Sequence, residues 1–329
     1  MQSLKIKMDK IYRKKNLYDF GNGFSDEFRR RMKFKSDAYR LFREFLYNHD
    51  FIEVQTPCIL VVPSDPVRSN PKEELFAVEW YSKIMYLRQS NQLHKQSLVL
   101  SGLDKIFEIG PFWRAERTLT PRHLSEVWGL DVETAVSADF KIHNMILFIG
   151  GMLNFLTKSL SKNKSFKIDV LGPAIKIFEY EEIYELIKKL GINYEYGTDL
   201  GYDIEYKISD LVKDKYDIDI FAVAHYPKNI KKFYAKSDGN LTETFDIFFR
   251  GWEISSGAIR QTDYRKIING MKSMNLNIRK YDFYLDKFKK SRPHGGFCIG
   301  IDRFLTKLLN INDIKELIFY PRTKNITIP

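Results

Sequence analysis

The stretch IFEIGPFWRAERTLTPRHLSEVWGLDVE, residues 106–133, restricts the fold of this chain more than any other part of it. Two runs of alternating residues flank a long polar loop, the pattern of two paired strands. Side chains along a strand point to opposite faces in turn. In the first run this places Phe112, Arg114 and Glu116 together, with Trp113 and Ala115 on the reverse. In the second, Val127, Gly129, Asp131 and Glu133 share one face, and Trp128, Leu130 and Val132 share the other. Each strand therefore has an apolar side, where Trp113 and Trp128 are expected in the core, and an ionisable side. An ionisable side is either a solvated sheet surface or the floor of a cleft. In a cleft, an arginine would clamp phosphate and paired acids would hold Mg²⁺ or an ammonium group.

The rest of the chain fits around this pair. Phe34, Ala38, Leu41, Phe42, Phe45 and Leu46 fall on one helical stripe, so a helix is expected from Phe34 to about Asn48. FIEV (51–54) follows as a strand, halted by Pro57. Residues 1–33, with Lys5, Lys7, Lys10 and Arg29 to Arg31 among them, read as a basic arm ahead of the main folded domain over 34–329. A Pro-, Ser- and Asn-rich loop covers 62–73, strands fill 76–135, and a helix covers 139–160. Residues 161–240 read as a more variable insertion, with an amphipathic helix in 179–192. Strands resume at 244–255, helices are expected at 263–274 and 280–290, and the glycine-rich strand 295–300 leads into a helix at Ile301. Unequal blocks of strands and helices, without regular βαβ alternation, imply an α+β fold with a mainly antiparallel sheet.

Composition narrows the function. A 329-residue chain with 44% apolar and 15% aromatic residues has a sizeable core and is not disordered. The 53 Lys and Arg residues against 42 Asp and Glu leave a charge of +11, which suits nucleotide, pyrophosphate or RNA. Cys58 and Cys298 lie far apart, which argues against a disulfide framework or structural zinc, and both are expected as small core residues. The start is polar and basic. The longest apolar stretch, about Met145 to Leu156, is too short for a bilayer, which needs about 20 residues. A soluble, cytoplasmic protein without membrane partners is expected. There is no GxxxxGK[ST], no Rossmann fingerprint and no HExxH, so ATP, if used, is held another way.

Two further segments repeat the cleft theme. FDIFFRGWEISSGAIR (245–260) places Gly251 and Glu253 together ahead of a run of small residues that would let a ligand approach the backbone. RPHGGFCIGIDRF (292–304) runs from a glycine-rich strand into a helix with Arg303 in its first turn. A cation there is unfavourable beside the positive end of the helix dipole unless an anion also binds.

Together these segments resemble the class II aminoacyl-tRNA synthetases, within them the aspartyl/asparaginyl group, over about residues 28–325. FIEVQTP resembles motif 1, FWRAE…RHLSE…LDVE motif 2, and GGFCIGIDR motif 3. YPRT (320–323) resembles the family's terminal FPR segment, and QSNQLHKQ (89–96) its QSPQLYK amino-acid-binding stretch, with Asn91 in place of the proline. FRGWEISSGAIR especially resembles the archaeal aspartyl form, with SSGAIR for SSGGQR. PSDPVRSNPKEEL (63–75) stands where that form carries TEGG.

The resemblance implies an antiparallel sheet flanked by helices and a homodimer built through motif 1. It implies ATP and Mg²⁺, with Arg114, Glu253 and Arg303 catalytic. Arg114 would bind the α-phosphate, Glu116 the adenine amino group, and His123 would lie near the phosphates. Gly300 and Arg303 would also meet ATP, Arg303 stacking on adenine. Glu133, Glu253 and Ser256 would hold Mg²⁺. Gln92 and Asp131 would bind the substrate's ammonium region, Ser256 would also meet aspartate, and Lys95 and Arg260 would bind the carboxylate that does not react. That cationic pair favours aspartate over asparagine. Only about 30 residues precede the expected core, fewer than an anticodon-binding OB-fold requires, which is roughly 100. The chain is therefore similar to the archaeal asparagine synthetases related to asparaginyl-tRNA synthetase, which implies an aspartyl-adenylate transferred to free ammonia. The alternative is an aspartyl- or asparaginyl-tRNA synthetase core that charges tRNA. A non-catalytic paralogue is disfavoured by the intact Arg114 and Arg303.

Overall fold

The computed structural model describes residues 18–19, 23–66, 75–116 and 120–327. Most of the basic arm, part of the loop at 62–73 and the tip of the polar loop lie outside these residues.

Helix α1 (Asp26–Tyr47) starts eight residues before Phe34. The Ser25 hydroxyl accepts the Phe28 amide N–H at 3.2 Å, and Asp26 and Glu27 complement the helix dipole. Arg29 and Arg31 pair with Asp26 and Glu27 one turn away, so these first turns are polar outside and carry only Phe28 and Met32 inward. Two apolar residues make too weak a stripe to read from the sequence. The expected stripe from Phe34 to Leu46 is buried throughout.

The centre is an eight-stranded sheet: β1 (Ile52–Glu53), β2 (Lys105–Trp113), β3 (Glu126–Ala135), β4 (Lys176–Glu179), β5 (Ile220–Ala224), β6 (Thr244–Phe249), β7 (Trp252–Ile259) and β8 (His294–Ile299). Their order is β1-β2-β3-β8-β7-β6-β5-β4. Only the two edge pairings, β1 with β2 and β4 with β5, are parallel. The expected α+β fold with a mainly antiparallel sheet is thus the observed one. The segment 161–240 is built into it, since it supplies β4 and β5.

Residues directly opposite each other in an antiparallel pair share a face. Glu108, Asp131, Cys298, Ser256 and Asp246 are successive partners across β2, β3, β8, β7 and β6, and this row defines the polar face. The opposite face carries Phe107, Leu130, Val132, Ile247, Phe297 and Ile299 into one apolar core against α1, α3 (Ile142–Leu160) and α7 (Ile301–Leu308). Each fully buried side chain of this size contributes about 1.5–3 kcal/mol. Trp128 shares that face but sits near the start of β3, is absent from the core cluster and remains 43% exposed, against its expected burial. Trp113 is half-buried.

The polar face is walled on two sides. Helices α4 (Tyr180–Lys189) and α5 (Tyr202–Tyr216) pack on its β4–β5–β6 end through Ile183, Ile187, Ile208 and Val212 against Phe178, Phe221 and Phe248. Helices α2 (Gln92–Leu100) and α6 (Tyr264–Ser273) form a second cluster with Tyr281, Tyr284 and Phe288. The expected helix at 280–290 is three short helical pieces: Ile278–Tyr281, Asp282–Leu285 and Asp286–Lys290.

Candidate active site

Period-two alternation puts Glu253 and Ser256, three apart, on opposite faces. A β-bulge changes this: Ser255 pairs with Ile247 and Glu253 with Phe248, so Ile254 is an extra residue in β7. One inserted residue reverses the parity, and bulges beside functional sites often re-aim a side chain in this way. Glu253 and Ser256 consequently line the same cavity.

That cavity, about 150 Å³, is lined by Arg114 and Glu116 just past β2, by Arg122 and His123 of the polar loop, by Glu253 and Ser256, and by Gly300 and Arg303 at the β8–α7 junction. The Arg303 Nη1 donates to the Glu253 carbonyl at 3.2 Å and lies 3.7 Å from its carboxylate. Burial depresses the Arg303 pKa, with Arg122 and Arg114 adding to it against the pull of Glu253. Burial, with Asp246 and Glu205 adding, pushes the Glu253 carboxyl up to about 7. His123, held by the Thr120 hydroxyl at 2.6 Å, is pushed down to about 3 by burial and then by Arg303, Arg122 and Arg114. This lobe suits a polyanion: three guanidiniums surround an imidazole that burial, and then their charge, keeps neutral.

A second lobe, about 160 Å³, adjoins the first and shares Phe112, Arg114, Ser256 and Cys298 with it. Cys298 is therefore half-buried at the junction, not packed in the core, and Cys58 is likewise half-buried. Gln92 and Lys95 reach this lobe from α2, Asp131 from β3, and Arg260 from just beyond β7. The Lys95 Nζ donates to Asp131 Oδ1 at 2.8 Å. Asp131 Oδ2 and Gln92 Nε2 are buried without a protein partner among the described residues, the state expected of groups that await a ligand.

Glu133 does not join Glu253. It is fully buried, its two carboxylate oxygens take the Nε and Nη2 of Arg260 at 2.9 Å each, and the Lys95 Nζ lies 3.4 Å away. These cations hold it below the usual carboxylate range despite burial. Without a ligand, Glu133 is therefore engaged by Arg260 and Lys95 rather than set beside Glu253 and Ser256, and the bidentate pair fixes the direction of the Arg260 guanidinium.

Sequence reasoning missed several residues. Asp65, in the Pro-Ser-Asn loop, accepts from the Tyr234 hydroxyl at 3.1 Å and lies 3.2 Å from the Lys232 Nζ and 3.5 Å from Arg114. Lys232 and Lys231, the latter paired with Asp246, also line the second lobe. Arg122, within motif 2, lines the first lobe. The departure at Asn91 is absorbed locally. Its amide donates to Glu108 at 2.8 Å, and Glu108 also takes the Thr56 hydroxyl and the buried Arg88.

A family model described as class II tRNA synthetases (D, K and N) matches residues 12–324. The chain belongs to that family. The aspartate–tRNA(Asp) ligase of Pyrococcus furiosus is 31% identical over 306 residues, covering 90% of this chain and 69% of the relative. The aspartate–tRNA(Asp/Asn) ligase of Aeropyrum pernix is 30% identical, covering 88% and 67%. The asparaginyl-tRNA synthetase of Pyrococcus horikoshii, solved with asparaginyl-adenylate, superposes with a TM-score of 0.84 at 27% identity, over 93% of this chain and 71% of that one. In this synthetase-family chain the three motifs contribute β1, the β2–β3 pair and the β8–α7 junction, and the last two meet at the first lobe. Among the described residues, no helix is long and apolar enough to cross a membrane.

Proposed function

We propose that this chain activates aspartate with ATP as an aspartyl-adenylate, releasing pyrophosphate, and passes the aspartyl group to the 3′ end of tRNA. The observation that carries the reading is the meeting of the two lobes at Arg114 and Ser256. A nucleotide in one lobe and an amino acid in the other would touch at that junction, where a carboxylate oxygen would attack the α-phosphorus. Arg114 neutralises charge there as the bond to pyrophosphate breaks. Arg303, Arg122 and His123 line the side toward which the polyphosphate would lie.

Five cations and two carboxylates line the second lobe, which suits an amino acid with two carboxylates and one ammonium. Asp131 and the Gln92 amide oxygen offer acceptors for its ammonium, and Lys95 with Arg260 donors for its carboxylate. Glu253 and Ser256 supply hard oxygen donors on one face, which fits Mg²⁺. Bound there, Mg²⁺ would share the phosphate charge. Among the described residues no group of three or more His, Cys, Asp or Glu could hold a metal. A site of this kind needs the nucleotide's own oxygens as further ligands, the usual habit of Mg²⁺. Dimerisation through motif 1 belongs to the same reading: β1 is a two-residue edge strand, and its Ile52 is 52% exposed.

The relatives favour tRNA as acceptor over the ammonia expected from sequence, because those named here are tRNA ligases or synthetases. The test incubates the protein with ATP, Mg²⁺ and radiolabelled aspartate or asparagine, with tRNA or with ammonium. Aspartate-dependent pyrophosphate exchange and acid-precipitable aspartyl-tRNA are expected. Free asparagine formed without tRNA would restore the ammonia reading, and exchange with asparagine alone would reverse the substrate assignment.

A further inference from the structure

We propose that Glu205 is a positioning residue for the nucleotide lobe: from α5 it locks the Arg122 guanidinium and the bulged backbone at Glu253 into one fixed arrangement. The inference rests on the nucleotide-side reading above. Glu205 is 2% exposed and does not itself line the cavity, whereas Arg122 and Glu253 both do. Its carboxylate takes Arg122 in bidentate form, Nη2 to Oε1 at 2.9 Å and Nη1 to Oε2. The same Oε2 accepts the Glu253 backbone N–H at 3.1 Å.

Two details turn this contact into a device. The bulge at Ile254 aims the Glu253 side chain into the lobe, and Glu205 satisfies the backbone N–H of the residue beside it. Arg122 also stacks over the Tyr202 ring at 5.2 Å, one turn before Glu205 on the same helix, so its plane is set as well as its position. With both Nη atoms engaged, its buried Nε is the guanidinium nitrogen left without a partner among the described residues. A buried guanidinium held at one end, with a free donor, is prepared for an acceptor that the protein does not supply. Arg122 thus stands in the polyphosphate side of the lobe at a fixed distance from Glu253, and α5 acts on the site without touching the ligand.

The test uses the full chain and the variants Glu205→Gln and Glu205→Asp. The KM values for ATP and for aspartate and the kcat come from pyrophosphate exchange, nucleotide binding without aspartate from calorimetry with ATP, and folding from thermal unfolding. Gln has one acceptor oxygen and presents an amide N–H₂ to a guanidinium, so it cannot clamp both Nη atoms. We expect Glu205→Gln to raise the KM and Kd for ATP at least tenfold while the KM for aspartate moves less than twofold. Asp keeps the charge one carbon shorter and should recover part of the loss. Arg122→Lys should raise the KM for ATP similarly, and adding Glu205→Gln to it should change little more. An unchanged KM for ATP in a folded Glu205→Gln protein would overturn the proposal. So would equal loss for both substrates, or full additivity with Arg122→Lys. If Glu205→Gln does not fold, a Glu205→Asp protein whose ATP affinity equals the parent's overturns it too. Should the parent bind ATP but show no exchange with aspartate, the functional reading fails, and the calorimetric comparison still decides the role of Glu205.

Discussion

Replacing Glu133 with glutamine separates two readings of one acid. As a metal ligand, Glu133 would set the Mg²⁺ requirement and matter little to the fold without ligand. In the structure it is a buried counter-ion, with two 2.9 Å bonds to Arg260 and the Lys95 Nζ at 3.4 Å. Removing one partner of a buried ion pair costs about 3–5 kcal/mol, because the other charge stays behind in low dielectric. Glutamine keeps one acceptor oxygen for Arg260, and Lys95 retains Asp131, so the cost of Glu133→Gln should fall at the lower end, about 3 kcal/mol. Unfolding entropy is about 2.1 cal/mol/K per residue, or about 0.7 kcal/mol/K for 329 residues, so this predicts a fall in Tm of about 4 °C. Differential scanning calorimetry of the ligand-free protein measures that fall. A Mg²⁺ titration of pyrophosphate exchange measures the other half. The half-saturating Mg²⁺ should stay within twofold of the parent's, while the KM for aspartate rises because Arg260 is no longer aimed. An unchanged Tm together with a tenfold rise in half-saturating Mg²⁺ would refute the pairing and return Glu133 to the metal.

Arg114→Ala should abolish aspartate-dependent pyrophosphate exchange while leaving the circular dichroism spectrum intact, since Arg114 lies beyond β2 and outside the core; retained exchange would remove it from the reaction. Gly296→Ala would place a Cβ 2.2 Å from Glu133 Oε2 and from the Val132 carbonyl. The Glu133 carboxylate must shift and take Arg260 with it, and relief from the Val132 backbone oxygen requires β8 to move as well, so Tm should fall and the KM for aspartate should rise well ahead of that for ATP in the same assay. His123 is held neutral, near 3, by burial and three arginines. Polyphosphate among those arginines offsets their charge and lets the ring pKa rise, so ATP binding at pH 5.5 without Mg²⁺ should take up protons. Glu253, at about 7, is already protonated there and contributes none. Calorimetry in two buffers of different ionisation enthalpy should show the uptake, and His123→Gln should lose it.

The sheet was legible wherever local pattern and register coincide. Strict alternation in 106–133 predicts β2 and β3, and the observed pairing runs without a break from Lys105 with Thr134 to Trp113 with Glu126. It was not legible where one residue changes the count. No sequence rule marks Ile254 as a bulge, and without it Glu253 and Ser256 would not face the same ligand. Nor was it legible where a partner comes from far along the chain. Glu133 meets Arg260 across 127 positions, and Arg122 meets Glu205 across 83. From sequence, Glu133 is one more acid on an ionisable face, and Glu205 one more charge on an amphipathic helix.

The two lobes differ in how complete they are without ligand. On the amino-acid side each of four cations already has an acid within about 3 Å: Lys95 with Asp131 at 2.8 Å, Arg260 with Glu133 at 2.9 Å, Lys231 with Asp246 at 2.7 Å and Lys232 with Asp65 at 3.2 Å. Those pairs fix direction, so that side selects by geometry. On the nucleotide side Arg303 and Glu253 stand 3.7 Å apart, burial works against the charge of both, and their mutual attraction does not repair it. A phosphate beside Arg303 and a cation beside Glu253 would relieve each in turn. That side is therefore the one whose electrostatics improve most on filling. The physical consequence is an order of dependence: Arg303 and Glu253 gain their counter-charges only when the nucleotide side fills, while Arg114 already has Asp65 at 3.5 Å and the amino-acid lobe contributes a frame that is already set.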